Sequence, residues 1–178
     1  LYDGKEYLIQ NFKIATTLGL NLTDPASLRI DRAQLLLGGI SDAVPGYEAL
    51  PGVAQELTEI SSIMGGDKFL NEEFSLGEVS KKLAVGGYSI VHCATHGVFA
   101  DQYTDSYLLT YDGKLTLGRL QNTVGKRRYL DKPLELMVLS ACETAVGNDK
   151  AALGLAGVAL KAGAKAAIAS LWLISDEG

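Results

Sequence analysis

Four short apolar runs that alternate with helical patterns constrain the fold of this chain more than any other feature. Each run has the length and apolar content of a strand that is buried on both faces. Strands separated by helices imply crossover connections, which place the strands parallel in one sheet with helices over both of its faces. The sequence therefore predicts one α/β sandwich with a mostly parallel sheet, spanning residues 1–178 as a single domain. The runs are AQLLLGGI (33–40), YSIVHCATHG (88–97), LELMVLSAC (134–142) and KAAIASLWLI (165–174).

The segments between these runs carry helix boundaries. In residues 51–66, apolar side chains recur at spacings of three and four between Pro51 and a Gly-Gly pair, which predicts an amphipathic helix. Ser75 and Glu78 stand in capping-box spacing before a second helical pattern that also ends in Gly-Gly. The other predicted elements are a short strand in 67–74, a hairpin over 107–117 that turns at Asp112-Gly113, and helices in 117–130 and 151–164.

Charge and composition exclude several classes of function. The net charge of -5 repels nucleic acid and anionic membrane surfaces, and the short basic cluster at 125–128 is interpreted as the solvated end of a helix. Two cysteines do not make a disulfide framework, and no apolar stretch is long enough for a membrane span. We therefore expect a cytoplasmic protein that binds neither nucleic acid nor membrane. Because the chain starts on Leu1 and stops soon after an apolar run, we also expect it to be part of a longer multidomain protein.

The run VHCATHG (91–97) holds both histidines of the chain and one of its two cysteines. On a strand, successive side chains alternate between faces, so His92 and His96 share one face while Cys93 lies on the other. At about 3.3 Å per residue, the two histidines are roughly 13 Å apart, which is too far for one metal ion. We expect no metal site and no cofactor.

His96 and Cys142 each stand at the carboxyl end of a predicted strand, the edge of an open α/β sheet where ligand and catalytic sites gather. A thiol and an imidazole are the minimum nucleophile and base, because the histidine can take the proton of the thiol. Backbone N–H groups at Gly97 and Cys142, which we expect at bends, could stabilise the negative charge that develops on an attacked carbonyl. The spacing alone leaves the alternative open that the cysteine packs as a small hydrophobe and the histidine is held in place by a hydrogen bond.

Four segments of the chain form a recognisable series: YSIVHCATHGVF (88–99), LTLGRL (115–120), LELMVLSACETAVGN (134–148) and GLAGVALKAGAKAAIASLWLISDEG (154–178). In this order they resemble the CHAT domain, a caspase-like family of cysteine peptidases related to separase. This resemblance implies a caspase-like three-layer α/β/α sandwich with a mostly parallel central sheet. It also implies that His96 is the catalytic histidine and Cys142 the nucleophile, with the backbone N–H groups of Gly97 and Cys142 as the oxyanion hole. It gives no catalytic role to His92, which we expect to be hydrogen-bonded, or to Cys93, which we expect in the core.

Substrate contacts are less constrained by the sequence. In caspase-like folds, the strand after the nucleophile's helix and the loop beyond it line the pocket for the residue before the cut, which here is the segment 170–178. Asp176 is therefore a candidate partner for a basic substrate side chain, and an ordinary surface acid is the alternative. Trp172 is expected in the core, and the alternative is that it forms a wall of the substrate pocket. Ser140 is a weak nucleophile candidate that shares a strand face with Cys142, and Asp101 is interpreted as a solvated carboxylate, so no third member of a triad is identified.

The resemblance implies a cysteine endopeptidase that cleaves protein substrates through a thioester acyl-enzyme. Domains of this family are commonly attached to tetratricopeptide-type helical repeats or other sensor modules, so we expect regulation by an attached module of that kind. A second hypothesis belongs to a different class of function: an interaction or regulatory module that keeps the caspase-like fold but does not cleave. The presence of both His96 and Cys142 favours the first.

Overall fold

A computed structural model of the protein describes residues 4–7, 10–11, 33–85, 87–98, 105–125, 134–143, 159 and 163–169. Within these ranges the chain forms one sheet of seven strands and three α-helices. In chain order they are β1 (Leu35–Gly39), α1 (Pro51–Met64), β2 (Asp67–Leu70), α2 (Leu76–Val85), β3 (Ile90–Val98), β4 (Tyr107–Thr110), β5 (Gly113–Thr116), α3 (Leu117–Gly125), β6 (Leu136–Glu143) and β7 (Ala166–Ala169). A short 3-10 turn, Asn71–Glu73, joins β2 to α2.

The central part of the sheet is parallel. Strands β2, β1, β3, β6 and β7 lie side by side in that order, and every pair among them is parallel. The hairpin β4–β5 adds the antiparallel part: β4 pairs with Gly97 and Val98 at the end of β3, beyond the last register pair of β3 with β1. The prediction of a mostly parallel sheet with one hairpin is confirmed.

Helices cover both faces of this sheet, because alternate strand residues supply apolar side chains to each side. Helix α1 packs on one face, and α2 and α3 pack on the other, so the predicted three-layer α/β/α sandwich of caspase-like type is confirmed. The core on the α1 side contains Leu35, Leu37, Ile90 and Ala94 with Val53 and Leu57 of α1. The larger core on the other side contains Leu36, Val91, Cys93, Met137 and Leu139 with Val79 and Leu83 of α2 and Leu120 and Val124 of α3.

The predicted helix boundaries also hold. Helix α1 begins at Pro51 and ends before Gly65, which has a φ of 71° and so adopts a backbone conformation that glycine tolerates best. Before α2, Ser75 Oγ accepts a hydrogen bond from the Glu78 N–H at 3.4 Å, as the capping pattern predicts. The β4–β5 turn adds a second cap, because Asp112 Oδ1 accepts from the Leu76 N–H at 2.6 Å.

Two glycines at the end of the first apolar run form the last two positions of strand β1. Gly38 and Gly39 pair in register with Cys93 and Ala94 of β3. A Cβ on Gly38 would collide with the Phe74 ring, and one on Gly39 would collide with the Ala94 carbonyl oxygen. Glycine is needed here for close packing of the strand with its neighbours.

Several sequence predictions fall outside the described residues. They are the helix over 151–164 apart from Ala159, Gly163 and Ala164, the end of the last strand from residue 170 onward, and the end of the helix beyond Gly125. Among the residues that the structure describes, no helix has the length and apolar character that crossing a membrane requires.

Candidate active site

Strands β3 and β6 bring His96 and Cys142 side by side. The two strands are parallel and in register from Ile90↔Leu136 to Gly97↔Glu143, and His96 pairs directly with Cys142. Neighbouring strands lie about 4.8 Å apart, and register partners belong to the same face of a sheet. The sequence predicted only that the two residues share an edge of the sheet. The structure makes them adjacent positions on one face.

The imidazole of His96 has a defined partner in the loop between β1 and α1. Its Nε2 lies 2.8 Å from the backbone carbonyl oxygen of Glu48. A carbonyl oxygen can only accept a hydrogen bond, so Nε2 carries the hydrogen. In the neutral imidazole the lone pair then belongs to Nδ1, which becomes the nitrogen that can accept a proton.

The Glu48 carbonyl was missed by sequence reasoning, which named no third member of a triad. Every residue carries a backbone carbonyl, so its use here leaves no mark in residue types or in their spacing. The closest signal is the position of the loop, which follows β1 at the carboxyl edge of the sheet where functional loops gather.

The Tyr47 ring supports His96 from the same loop. The two ring centroids are 5.1 Å apart with planes inclined by 42°, a separation typical of packed rings. The hydroxyl of Tyr47 lies 2.6 Å from that of Tyr107 on β4, and the Lys114 ammonium sits 4.2 Å from the centre of the Tyr107 ring. The hydrogen bond to Tyr107, with burial as the second cause, raises the pKa of Tyr47. His96 is therefore held by one hydrogen bond and by one ring whose position is itself fixed.

A second polar cluster lies on the same face, further back along the strands. His92 is 7% exposed, and its Nε2 lies 2.9 Å from Glu56 Oε1 of α1. The hydrogen bond from His92 is the main cause that lowers the pKa of Glu56, a hydrogen bond from Ser140 lowers it further, and burial opposes both. The predicted hydrogen-bonded role of His92 is confirmed. The Glu56 carboxylate thus accepts hydrogen bonds from His92 on β3 and from the Ser140 hydroxyl on β6, and so connects the two strands.

Cys93 lies on the opposite face of β3. Its side chain is 2% exposed within the core under α2 and α3, and burial raises the pKa of the Cys93 thiol to about 12. A thiol with so high a pKa forms almost no thiolate at neutral pH and is a poor nucleophile. The prediction that Cys93 packs in the core is confirmed.

The backbone at Gly97 and Cys142 differs from the bends that the sequence predicted. The sequence suggested a bend there, but β3 continues through Gly97 to Val98, and Gly97 has register partners in both β4 and β6. Likewise, Cys142 lies within β6, which runs to Glu143. The oxyanion hole formed by the N–H groups of Gly97 and Cys142 stays a prediction.

Three other candidates, Asp101, Trp172 and Asp176, lie outside the described residues. In the described part of the chain, no group of three or more His, Cys, Asp or Glu residues is arranged to hold a metal ion. His92 and His96 instead contact separate partners, the Glu56 carboxylate and the Glu48 carbonyl.

A model of the CHAT domain matches residues 1–178 of the sequence, which is the whole chain. A search of curated proteins finds no match to it.

Proposed function

The chain belongs to the CHAT domain family, and from this premise we propose that it is a cysteine endopeptidase with Cys142 as nucleophile and His96 as general base. The observation that carries the proposal is the register pairing of His96 with Cys142 on adjacent parallel strands. A nucleophile and its base must lie within hydrogen-bond reach of each other. Adjacent positions on one sheet face support this pairing, because register partners on neighbouring strands lie about 4.8 Å apart.

The first half of the reaction forms a covalent intermediate. Nδ1 of His96 takes the proton of the Cys142 thiol, and the resulting thiolate attacks the carbonyl carbon of the scissile peptide. The tetrahedral intermediate collapses when the imidazolium returns its proton to the departing amine, which leaves a thioester on Cys142. The Glu48 carbonyl accepts from Nε2–H throughout and so stabilises the positive charge on the ring while it carries both protons.

The second half regenerates the enzyme. A water molecule gives a proton to Nδ1 of His96 and attacks the thioester, and the collapse of the second tetrahedral intermediate releases a carboxylic acid and the thiol. We assign the developing oxyanion of both intermediates to the backbone N–H groups of Gly97 and Cys142. Asp176 is retained as the candidate partner for a basic side chain before the cut.

The natural partner in this proposal is a protein substrate, and control of cleavage is assigned to an attached module such as a tetratricopeptide-type array. The competing class, a binding module that does not cleave, uses the same fold. The two classes differ in one measurable property, which is whether Cys142 attacks an electrophile with the help of His96.

The test is labelling with peptidyl chloromethyl ketones that carry Arg, Lys, Leu or Asp at the reacting end, followed by intact mass and peptide mapping. We expect one adduct, on Cys142. In Cys142→Ala it should be absent, and in His96→Ala its rate should fall by about 10²–10⁴-fold, the usual contribution of a general base. Cys93→Ala is the matched control and should be labelled at the wild-type rate.

Preference for the Arg or Lys reagent, weakened in Asp176→Ala, would support the role of Asp176. Absence of an adduct on Cys142 with every reagent, or a rate that is the same in His96→Ala, would overturn the dyad and favour the binding module.

A further inference from the structure

The loop that holds His96 is itself anchored by a residue of another strand. Ser41–Leu50 connects β1 to α1 and contains both Tyr47 and Glu48, the two residues that contact the His96 ring. The loop is closed at its ends by a hydrogen bond from the Leu50 N–H to the Ser41 carbonyl oxygen, 3.0 Å long. The position of Ser41 therefore fixes where the loop starts and where it ends.

The side chain of Asn71 is hydrogen-bonded to the start of this loop. Its Oδ1 accepts hydrogen bonds from the backbone N–H groups of Ser41 at 2.8 Å and Asp42 at 3.1 Å. Its Nδ2 donates to Ser41 Oγ at 3.1 Å. One side-chain amide thus uses both its acceptor and its donor on two consecutive residues of the loop.

The backbone of Asn71 is unusual in a way that matches this role. Among the described residues other than glycine, Asn71 alone has a positive φ, at 55°. Left-handed backbone of this kind is unfavourable for most residues, while Asn, Asp and Gly adopt it most readily. The geometry turns the chain directly after β2, at the first residue of the 3-10 turn, where the Asn71 carbonyl accepts from the Phe74 N–H at 2.8 Å. Sparsely populated backbone conformations of this kind cluster at functional sites.

We propose that Asn71 is a positioning residue for the catalytic base, acting through the Ser41–Leu50 loop. By anchoring the loop, it keeps the Glu48 carbonyl in line with Nε2–H of His96, which leaves Nδ1 as the proton acceptor. Loss of the anchor releases the loop, so that the imidazole is no longer restricted to one tautomer. The consequence for catalysis rests on the proposed function, whereas the effect on the tautomer does not.

Substitutions at Asn71 and Ser41 can separate the role of the Asn71 side chain from the role of its backbone conformation. Asn71→Gly tolerates the positive φ but removes every hydrogen bond from this side chain to the loop. Asn71→Asp also tolerates it and keeps the acceptor for both N–H groups; it loses the Nδ2 donor, but an oxygen at this position can still accept from Ser41 Oγ, as Asn71 Oδ1 does at 3.3 Å. Ser41→Ala removes only the contacts of the Ser41 hydroxyl with Asn71. The proposal predicts that Asn71→Gly changes the His96 tautomer and the labelling rate of Cys142 strongly. Both quantities should stay close to the wild-type values in the other two variants.

The first measurement is the tautomer of His96 by NMR of ¹⁵N-labelled protein, at a pH where the imidazole is neutral. The chain has two histidines, so a His92→Gln variant assigns both rings. In the wild type and in Asn71→Asp we expect Nε2–H alone at His96, and in Asn71→Gly a mixture of both tautomers. His92 serves as the internal reference, because its partner Glu56 lies on α1 and its signals should not change.

The second measurement is the rate constant for labelling of Cys142 by a chloromethyl ketone. In Asn71→Gly we expect the maximal rate constant to fall by about 10-fold while the reagent concentration for half-maximal rate stays within about twofold, since misplaced groups act on the chemical step. A His96 tautomer that is unchanged in Asn71→Gly, even with a lower melting temperature, would overturn the positioning role. A wild type that is not labelled but shows the predicted tautomers would instead overturn the proposed function and leave the positioning role intact.

Discussion

The two faces of the β3–β6 strand pair differ in chemistry although the same two strands build both. On the side of α2 and α3, the residues Val91, Cys93, Met137 and Leu139 are each at most 2% exposed and pack in the larger core. On the side of α1, the same strands carry His92, His96 and the exposed Ser140. Strict alternation of side chains allows this division, because a strand can fill a core with one set of residues and leave the other set for polar contacts.

The polar face also changes along its length. Near its amino end Ile90 and Ala94 pack against α1, and Glu56 of α1 is hydrogen-bonded to His92. At its carboxyl end the contacts come from the Ser41–Leu50 loop, through the Glu48 carbonyl and the Tyr47 ring. The comparison indicates that the helix fixes the structural histidine and that the loop fixes the catalytic candidate.

The largest difference between the faces should be seen in thiol reactivity. With its pKa raised to about 12 by burial, Cys93 has a thiolate fraction of only about 10⁻⁵ at pH 7, on the order of a thousandfold less than an ordinary cysteine. In the native protein we expect one thiol to react rapidly with Ellman's reagent and a second to react only after denaturation. Peptide mapping should place the fast thiol at Cys142, and Cys93→Ala should retain it.

A native protein in which Cys93 reacts first would contradict the assignment of its face to the core. Two slow thiols would contradict the proposed activation of Cys142 by His96.

The core face can be tested separately through Leu139, which is 1% exposed and pairs in register with Cys93. Leu139→Ala should lower the free energy of unfolding by about 2–5 kcal/mol, because it removes buried apolar surface and leaves a cavity. Denaturant unfolding gives this value, and labelling of the folded protein at Cys142 should continue. The matched variant Ser140→Ala, one residue further along the strand on the exposed polar face, should cost far less. An equal loss of unfolding free energy in Leu139→Ala and Ser140→Ala would contradict the difference between the core face and the polar face.

Much of this division could be predicted from sequence because it follows from strand periodicity. The run from Ile90 to Gly97 alternates in a way that separates His92 and His96 from Cys93, and the order of strands and helices implies a parallel sheet. The register between two strands is harder to predict from sequence, because it depends on the relative shift of strands that are distant along the chain. The sequence therefore placed His96 and Cys142 at one edge but could not make them neighbours.

The supporting contacts of the site lay beyond sequence reasoning for a different reason. Glu48 contributes a backbone carbonyl, which no side-chain pattern reveals, and Asn71 acts through a left-handed conformation and a contact across 30 positions of the chain. The last two positions of strand β1 are Gly38 and Gly39, but the sequence does not show what their backbone contacts. Only the neighbouring Phe74 ring and Ala94 carbonyl show that these glycines are required inside the sheet.

The smallest expected effect concerns the link between the polar face and α1. The hydrogen bond from His92 lowers the pKa of Glu56 in the folded protein, so the ionised carboxylate stabilises the fold. This contribution is complete above the pKa of the unfolded chain and is lost as pH falls through the lower pKa of the folded state. Glu56→Gln should therefore be less stable than the wild type at pH 7, and the gap should narrow as the pH is lowered below about 4.

Denaturant midpoints of both proteins at a series of pH values measure this gap. Because the Glu56 side chain is 35% exposed, solvent screening keeps the effect well below that of Leu139→Ala. Lys81→Gln is a suitable control, since its exposed ion pair with Glu78 should contribute little at any pH. A gap between wild type and Glu56→Gln that widens on acidification would mean that folding raises the pKa of Glu56, and it would contradict a stabilising hydrogen bond from His92 to the ionised carboxylate.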